Sequence, residues 1–244
     1  MLEIQKVDLT SFCYLNKDRY PFLLESVNHN ENNRYSILFA FPGENIVLKN
    51  FSDFDFLKEL QDKSKSTMLD SDLPFVGGWF VYLSYELIGQ IESTLESKLH
   101  KSKLPIAYAV QVPSAIIVDH KLCKTFIIDQ DNNQSRINSI LSDIKLLSKI
   151  PTRSIIVSQS EEVENKFING VKKSLDYIIA GDVFQVNLSR KWQYELTEKT
   201  DSALIYNALK KANPAPFSAL IQYENFSIIS SSPERLFSVN DRAL

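Results

Sequence analysis

Residues 180–190, AGDVFQVNLSR, constrain this chain most, because strand periodicity begins there at the point where an amphipathic helix must stop. Val163, Phe167, Val171, Leu175 and Ile178 recur every three or four residues, which places them on one apolar stripe of an α-helix. Gly181 follows, where a left-handed residue without a Cβ ends a helix. Beyond it Val183, Gln185, Asn187 and Ser189 alternate with Phe184, Val186, Leu188 and Arg190, so the spacing predicts a strand with one apolar and one amide-bearing face. Such a polar face is either wetted by solvent or lines a site.

A chain of 244 residues, 44% of them hydrophobic, has material for a sizeable core in one large domain or two small ones. Its 27 basic and 30 acidic residues give a net charge of -3, which lacks the basic field that nucleic acid requires, so no nucleic-acid partner is expected. Apolar runs such as 115–118 and 126–128 fall far short of the roughly 20 residues that span a bilayer, and no membrane association is expected. Glu3, Lys6, Asp8, Lys17, Asp18 and Arg19 leave no room for a signal-peptide core, which points to the cytoplasm. Cys13 and Cys123 lack CxxC spacing and read as small buried hydrophobes; His29, His100 and His120 form no ligand pattern, so no metal ligands are assigned. The six glycines build neither GxGxxG nor a P-loop.

Strand signals cover 20–27 and 34–41, joined by the polar loop 29–33, then 77–87, 107–119 and 124–129. Ser52 is placed to cap a helix running to Lys63, and residues 135–150 are amphipathic up to Pro151. Residues 92–103 read as a surface loop and 152–162 as a polar connector. Asp201 is placed to cap a helix ending before Asn213-Pro214, and 216–237 read as two short strands about Glu224-Asn225. Strands in runs, with helices between the groups, predict an α+β fold.

Three late segments carry unusual polar groups in a distinctive order: AGDVFQVNLSR, NPAPFSA at 213–219 and SSSPERLF at 230–237. With LLES at 23–26 and FVGGWFVYLSYE at 75–86, they resemble the chorismate-using enzymes, a family that includes anthranilate synthase component I, aminodeoxychorismate synthase component I, isochorismate synthase and salicylate synthase. Val81 replaces a common glycine of that family and Glu86 its usual aspartate. The resemblance implies two stacked, mainly antiparallel sheets with surrounding helices. It divides the chain into an N-terminal region, 1–150, and the start of the chorismate-binding region, 151–244.

By the same resemblance Gln185 occupies the position where hydrating members carry a lysine and ammonia-using members a glutamine. A neutral amide is no general base near pH 7, so Gln185 favours amination. FQVNLSR and NPAPF are more like the aminodeoxychorismate branch than the FQVVLSQ and NPSPY forms of anthranilate synthase, which remains the alternative. Glu234 matches the SPE glutamate, a general acid or base at the departing ring hydroxyl. Ser26, Arg34, Tyr35, Pro216, Phe217 and Ser218 match positions that form an L-tryptophan pocket in several members, which leaves a non-catalytic tryptophan-binding fragment as a further alternative. The implied partners are chorismate and a glutamine amidotransferase that delivers ammonia, and the implied cofactor is Mg2+. The family's PIKGT segment, whose lysine is the proposed nucleophile in the aminodeoxychorismate branch, its magnesium-binding glutamates and its FPxGSITGAPK region cannot be found in these residues, so the chain reads as the truncated N-terminal portion of a longer enzyme, inactive and aggregation-prone by itself.

Overall fold

A computed structural model describes residues 1–28, 33–64, 71–98, 103–151, 156–196 and 200–237. In chain order its elements are β1 (Leu2–Ile4), α1 (Leu9–Leu15), β2 (Phe22–Glu25), β3 (Tyr35–Ala40), β4 (Asn45–Leu48), α2 (Phe56–Lys63), β5 (Gly78–Leu83), α3 (Ile88–Ile91), β6 (Ala107–Val112), β7 (Ser114–Asp119), β8 (Lys124–Asp129), α4 (Gln134–Ile144), β9 (Ile156–Glu161), α5 (Glu164–Ala180), β10 (Trp192–Leu196), α6 (Ser202–Ala212), β11 (Phe217–Tyr223) and β12 (Phe226–Ser232). They form two compact units, Met1–Pro151 with Asp201–Leu244, and Thr152–Thr200. This partition differs from a division at residue 150, because β11 returns to pair with β2.

The first unit is built on a seven-stranded antiparallel sheet, ordered β1-β8-β7-β3-β2-β11-β12, and a three-stranded one, β4-β6-β5. Alternate residues of each strand face opposite layers. Phe22, Phe39 and Ile221 of the large sheet meet Phe80, Tyr108 and Val110 of the small one, so the sheets stack face to face. The Phe22 and Phe80 rings lie parallel with centroids 4.2 Å apart. Their neighbours Leu23, Leu38 and Leu220 point the other way, into Phe12 of α1, Ile140 of α4 and Tyr206 of α6. On the far side of the small sheet, Ile46, Leu48 and Ala109 are covered by Phe56 of α2 and by Leu87. Each large side chain buried this way contributes about 1.5–3 kcal/mol, and the result is a helix, sheet, sheet, helix stack of the α+β class.

Several boundaries differ from the periodicity. Residues 107–119 are not one strand: Pro113 separates β6, in the small sheet, from β7, in the large one. Proline cannot donate to a ladder, and here it marks the crossing between sheets. The strand expected over 77–87 stops at Leu83 and passes into a 3-10 turn, Tyr85–Leu87. The cap of α2 is Asp55, whose carboxylate accepts from Lys58 N, and not Ser52. Helix α4, capped by Asn133, ends at Ile144. Cys13 is buried as expected, but Cys123 is exposed in the β7–β8 turn at φ +54°. The expected loop 29–33 lies outside the described residues at 29–32, as do parts of the readings over 92–103 (99–102) and 152–162 (152–155), all of 238–244, and His29 and His100.

In the second unit α5 ends at Gly181, φ +81°, whose N–H returns to Ile178 O, as the sequence predicts. Strands β9 and β10 pair antiparallel, Trp192 opposite Glu161; β9 falls in the stretch read as a polar connector. The expected strand over 183–190 does not form: those residues join no ladder among the described residues. No described helix is long and apolar enough to cross a membrane.

Candidate functional site

The strand order β3-β2-β11 gathers the six residues Ser26, Arg34, Tyr35, Pro216, Phe217 and Ser218 at one end of the large sheet. Ser26 follows β2, Arg34 and Tyr35 open β3, and Pro216 to Ser218 open β11, with Ser218 opposite Glu25. Backbone pairing continues past the ladder, from Val27 N to Ala215 O at 3.1 Å. The buried Ser26 donates its hydroxyl to Tyr35 O at 2.9 Å, and its N–H donates to Ser36 Oγ at 3.0 Å. Ser36 Oγ also lies 2.7 Å from His120 Nε2.

Arg34 grips Asp119 with two nitrogens, Nε to Oδ1 at 2.9 Å and a terminal nitrogen to Oδ2 at 2.5 Å. The hydrogen bonds from Arg34 hold the Asp119 carboxyl below the usual carboxylate range. The guanidinium also lies over the Tyr35 ring, 4.8 Å from its centroid. The six residues divide between two faces of the sheet. Ser26 lines a cleft of about 420 Å³ with Asp8, Glu25, Ser36, His120 and Lys210, on the helix side. Tyr35 packs instead with Phe75 and Ile117, and Phe217 shares by alternation the inter-sheet side of Ile221.

A polar cluster that sequence reasoning missed floors this cleft. Lys210 Nζ donates to Thr10 Oγ1 at 2.6 Å and lies 3.2 Å from Glu25 Oε2 and 3.3 Å from Asp8 Oδ1, while Tyr206 Oη donates to Glu25 Oε2 at 2.8 Å. Burial opposes ionisation of Asp8, but the Lys210 charge and the Ser11 hydroxyl outweigh it and lower its pKa. Burial and the nearby Glu25 carboxylate push the Tyr206 phenol up. A basic pair in the last turn of α6, Lys210-Lys211, was the one sequence signal available.

Glu234 stands two residues beyond β12, and because Ser232 pairs with Phe217 it lies at the same sheet end as Pro216 to Ser218. Its side chain is exposed, and its backbone is held by Ser232, whose Oγ lies 3.4 Å from Glu234 N and 3.2 Å from Glu234 O. Arg235 lies over the Phe217 ring at 5.4 Å.

Gln185 belongs to the second unit. Its Nε2 donates to Asn187 Oδ1 at 3.3 Å, two residues along the chain. Arg190 organises this unit: its guanidinium lies 5.8 Å from the Phe167 ring of α5 and 4.9 Å from the Trp192 ring of β10, and it pairs with Glu161. Among the described residues no three His, Cys, Asp or Glu side chains come together to hold a metal ion.

The family model described as chorismate binding enzyme matches residues 19–244. Anthranilate synthase component 1 of Lactococcus lactis is 26% identical over 249 residues, covering 92% of this chain and 54% of that protein. Aminodeoxychorismate synthase component 1 of Bacillus subtilis is 29% identical over 195 residues, covering 75% of this chain and 41% of that protein. The crystal structure of anthranilate synthase component I from Streptococcus pneumoniae superposes with a TM-score of 0.67 at 23% identity, covering 87% of this chain and 53% of that one, and shows the same fold. The chain thus spans about half the length of the curated relatives it matches. With a family model aligned from Arg19 to the last residue, on a fold shared with a solved member, the chain belongs to the chorismate binding enzyme family.

Proposed function

We propose that this chain is the N-terminal portion of an aminodeoxychorismate synthase component I. The complete enzyme replaces the ring 4-hydroxyl of chorismate with ammonia drawn from a glutamine amidotransferase subunit, on the way to para-aminobenzoate and folate. The observation that carries amination is the amide pair Gln185 and Asn187, hydrogen-bonded to each other where a hydrating enzyme needs a base, and the FQVNLSR and NPAPF wording favours the aminodeoxychorismate branch. Neither amide can take a proton from water near pH 7, so ammonia, already nucleophilic, is the reagent that suits them. Glu234 supplies the carboxyl group that protonates the departing hydroxyl. By the family resemblance, magnesium in the complete enzyme is held by glutamates of segments that cannot be found in these residues.

The gathering of Ser26, Arg34, Tyr35, Pro216, Phe217 and Ser218 at one sheet end supports L-tryptophan as a bound amino acid. Arg34 then acts through Asp119 and Tyr35 as a positioning residue, because its guanidinium is already engaged by the Asp119 carboxylate. The alternative product, anthranilate, is favoured by the names of several relatives.

The test pairs this chain with the C-terminal portion of either relative and supplies chorismate and ammonium. With the Bacillus subtilis portion 4-amino-4-deoxychorismate is the expected product, and anthranilate from that pairing overturns the reading. The chain alone is expected to turn nothing over, and robust turnover by it alone overturns the reading of it as an incomplete catalyst.

A further inference from the structure

Helix α6 buries an amide that has nothing to bond to. Asn207 is 7% exposed, and its side chain makes no hydrogen bond among the described residues. It lies on the buried part of α6, one turn after Ala203 and one turn before Lys210. An unpaired amide withdrawn from water destabilises a fold, which a leucine of similar size would not do, so its presence here calls for a partner from outside.

Asn207 faces a second cleft of about 420 Å³, formed by the start of α1, the chain just beyond α4 and the last turn of α6. Asp8 and Lys210 are common to this cleft and the one beside Ser26. Leu147 and the buried Ile150 give it an apolar lining, while Ser148, Lys149 and Lys211 give it hydrogen-bond donors.

The balance of charge in the cleft is positive. Asp8 is already engaged, by Ser11 Oγ at 2.7 Å and Lys210 Nζ at 3.3 Å, and Lys210 is shared with Glu25. Lys149 and Lys211 have no carboxylate partner among the described residues. Three lysines set against Asp8 and Glu25 leave a single positive charge over.

We propose that this cleft binds a small monocarboxylate with an apolar body, its carboxylate taken by Lys149, Lys211 and the Asn207 amide and its body resting on Leu147 and Ile150. One surplus charge matches one carboxylate, and hydrogen bonds from lysine to a carboxylate are of the stronger, charge-assisted kind. The volume suits an acid with a single ring. The inference uses the first unit alone and holds whatever reaction the complete enzyme performs.

Calorimetric titration of the full chain at low ionic strength tests it, with benzoate as the probe, benzamide as its neutral counterpart and acetate as the carboxylate without a body. Benzoate is expected to bind with a stoichiometry of one, roughly tenfold or more tighter than either of the others. Lys149→Gln, at an exposed side chain, is expected to weaken benzoate by roughly tenfold, while Lys124→Gln, on β8, leaves it unchanged. Asn207→Leu is expected to weaken benzoate by a similar factor and at the same time to raise the urea midpoint, an opposition that a residue serving packing alone would not show. Absence of benzoate binding at millimolar concentration overturns the inference. Benzamide or acetate binding as tightly as benzoate overturns it too, as does benzoate binding that Lys149→Gln leaves intact, since the probe then sits elsewhere. Should Asn207→Leu fail to fold, the Lys149→Gln result decides alone.

Discussion

Lys210 Nζ stands 3.2 Å from Glu25 Oε2 and ties helix α6 to the end of β2. Both side chains are largely withdrawn from water, at 13% and 15% exposure, so the pair is an ion pair with little solvent around it. Lys210→Met leaves Glu25 and Asp8 facing each other without their cation and is expected to cost about 2–4 kcal/mol. Adding Glu25→Gln to that variant is expected to recover part of the loss. Urea unfolding of the four members of the cycle measures both, and a single-variant loss below about 0.5 kcal/mol refutes the assignment.

Asp129 sets an acid limit on the β7–β8 and α4 junction. Its side chain accepts from Ser114 Oγ at 2.6 Å, Arg136 Nε at 2.6 Å and Asn133 N at 2.8 Å. Burial opposes its ionisation, but the hydrogen bonds from Arg136 and Ser114 prevail and bring its pKa from 3.8 down to about 2. A pKa lowered on folding stabilises the fold fully above the unfolded value and loses that contribution as pH falls through the folded one. About 2 kcal/mol is therefore expected to disappear between roughly pH 4 and pH 2. Asp129→Asn is expected to flatten that part of the stability profile in urea titrations from pH 5 downward; a profile unchanged from that of the parent rejects it.

The elements most legible in the sequence are those whose determinants are local. The stripe of α5, the αL residue Gly181 and the Asp201 cap of α6 all stand where their residues predict, because helices are specified within a turn or two. What was hidden depends on partners distant in the chain. Residues 107–119 have strand composition throughout, and only the presence of two sheets makes Pro113 a crossing. Residues 183–190 keep strand alternation yet form no ladder, since periodicity specifies faces and says nothing of whether a neighbour exists. Motif likeness named six residues that the fold brings to one sheet end, but missed the cluster of Lys210, Glu25, Asp8 and Thr10, whose members are drawn from α6, β2 and the start of α1.

Gly77 and Gly181 separate steric from backbone demands on a glycine. Gly181 has φ +81° with open space where a Cβ would stand, so Gly181→Ala is expected to cost about 1 kcal/mol, for the backbone alone. Gly77 has φ +128°, and an added Cβ would lie 2.4 Å from Gln130 Oε1 and 2.7 Å from Gln130 Cβ. Gly77→Ala is expected to cost about 2–3 kcal/mol, and Gln130→Ala in the same chain to relieve only the contacts with Oε1 and Cδ, since the close Cβ of residue 130 and the backbone strain remain. Thermal or urea unfolding of the variants checks the order; equal losses at both glycines reject the close approach of Gln130.

Gln185 gives the sharpest chemical test of the proposed function, because on that reading a single substitution there changes which nucleophile is activated. Its amide holds no titrating proton and bonds only sideways to Asn187, so a nucleophile that needs deprotonation gains nothing from it. Gln185→Lys introduces an amine that, once neutral, accepts a proton from water. In a catalytically competent pairing of this chain with a C-terminal portion, the variant is expected to lose amination by roughly a hundredfold and to release a hydroxylated product. That product is expected to increase with pH until the lysine is fully neutral, because only the uncharged amine is a base. Chromatographic separation of amino and hydroxy products across pH reads both effects. Unchanged amination in the variant would show that residue 185 does not face the reacting ring.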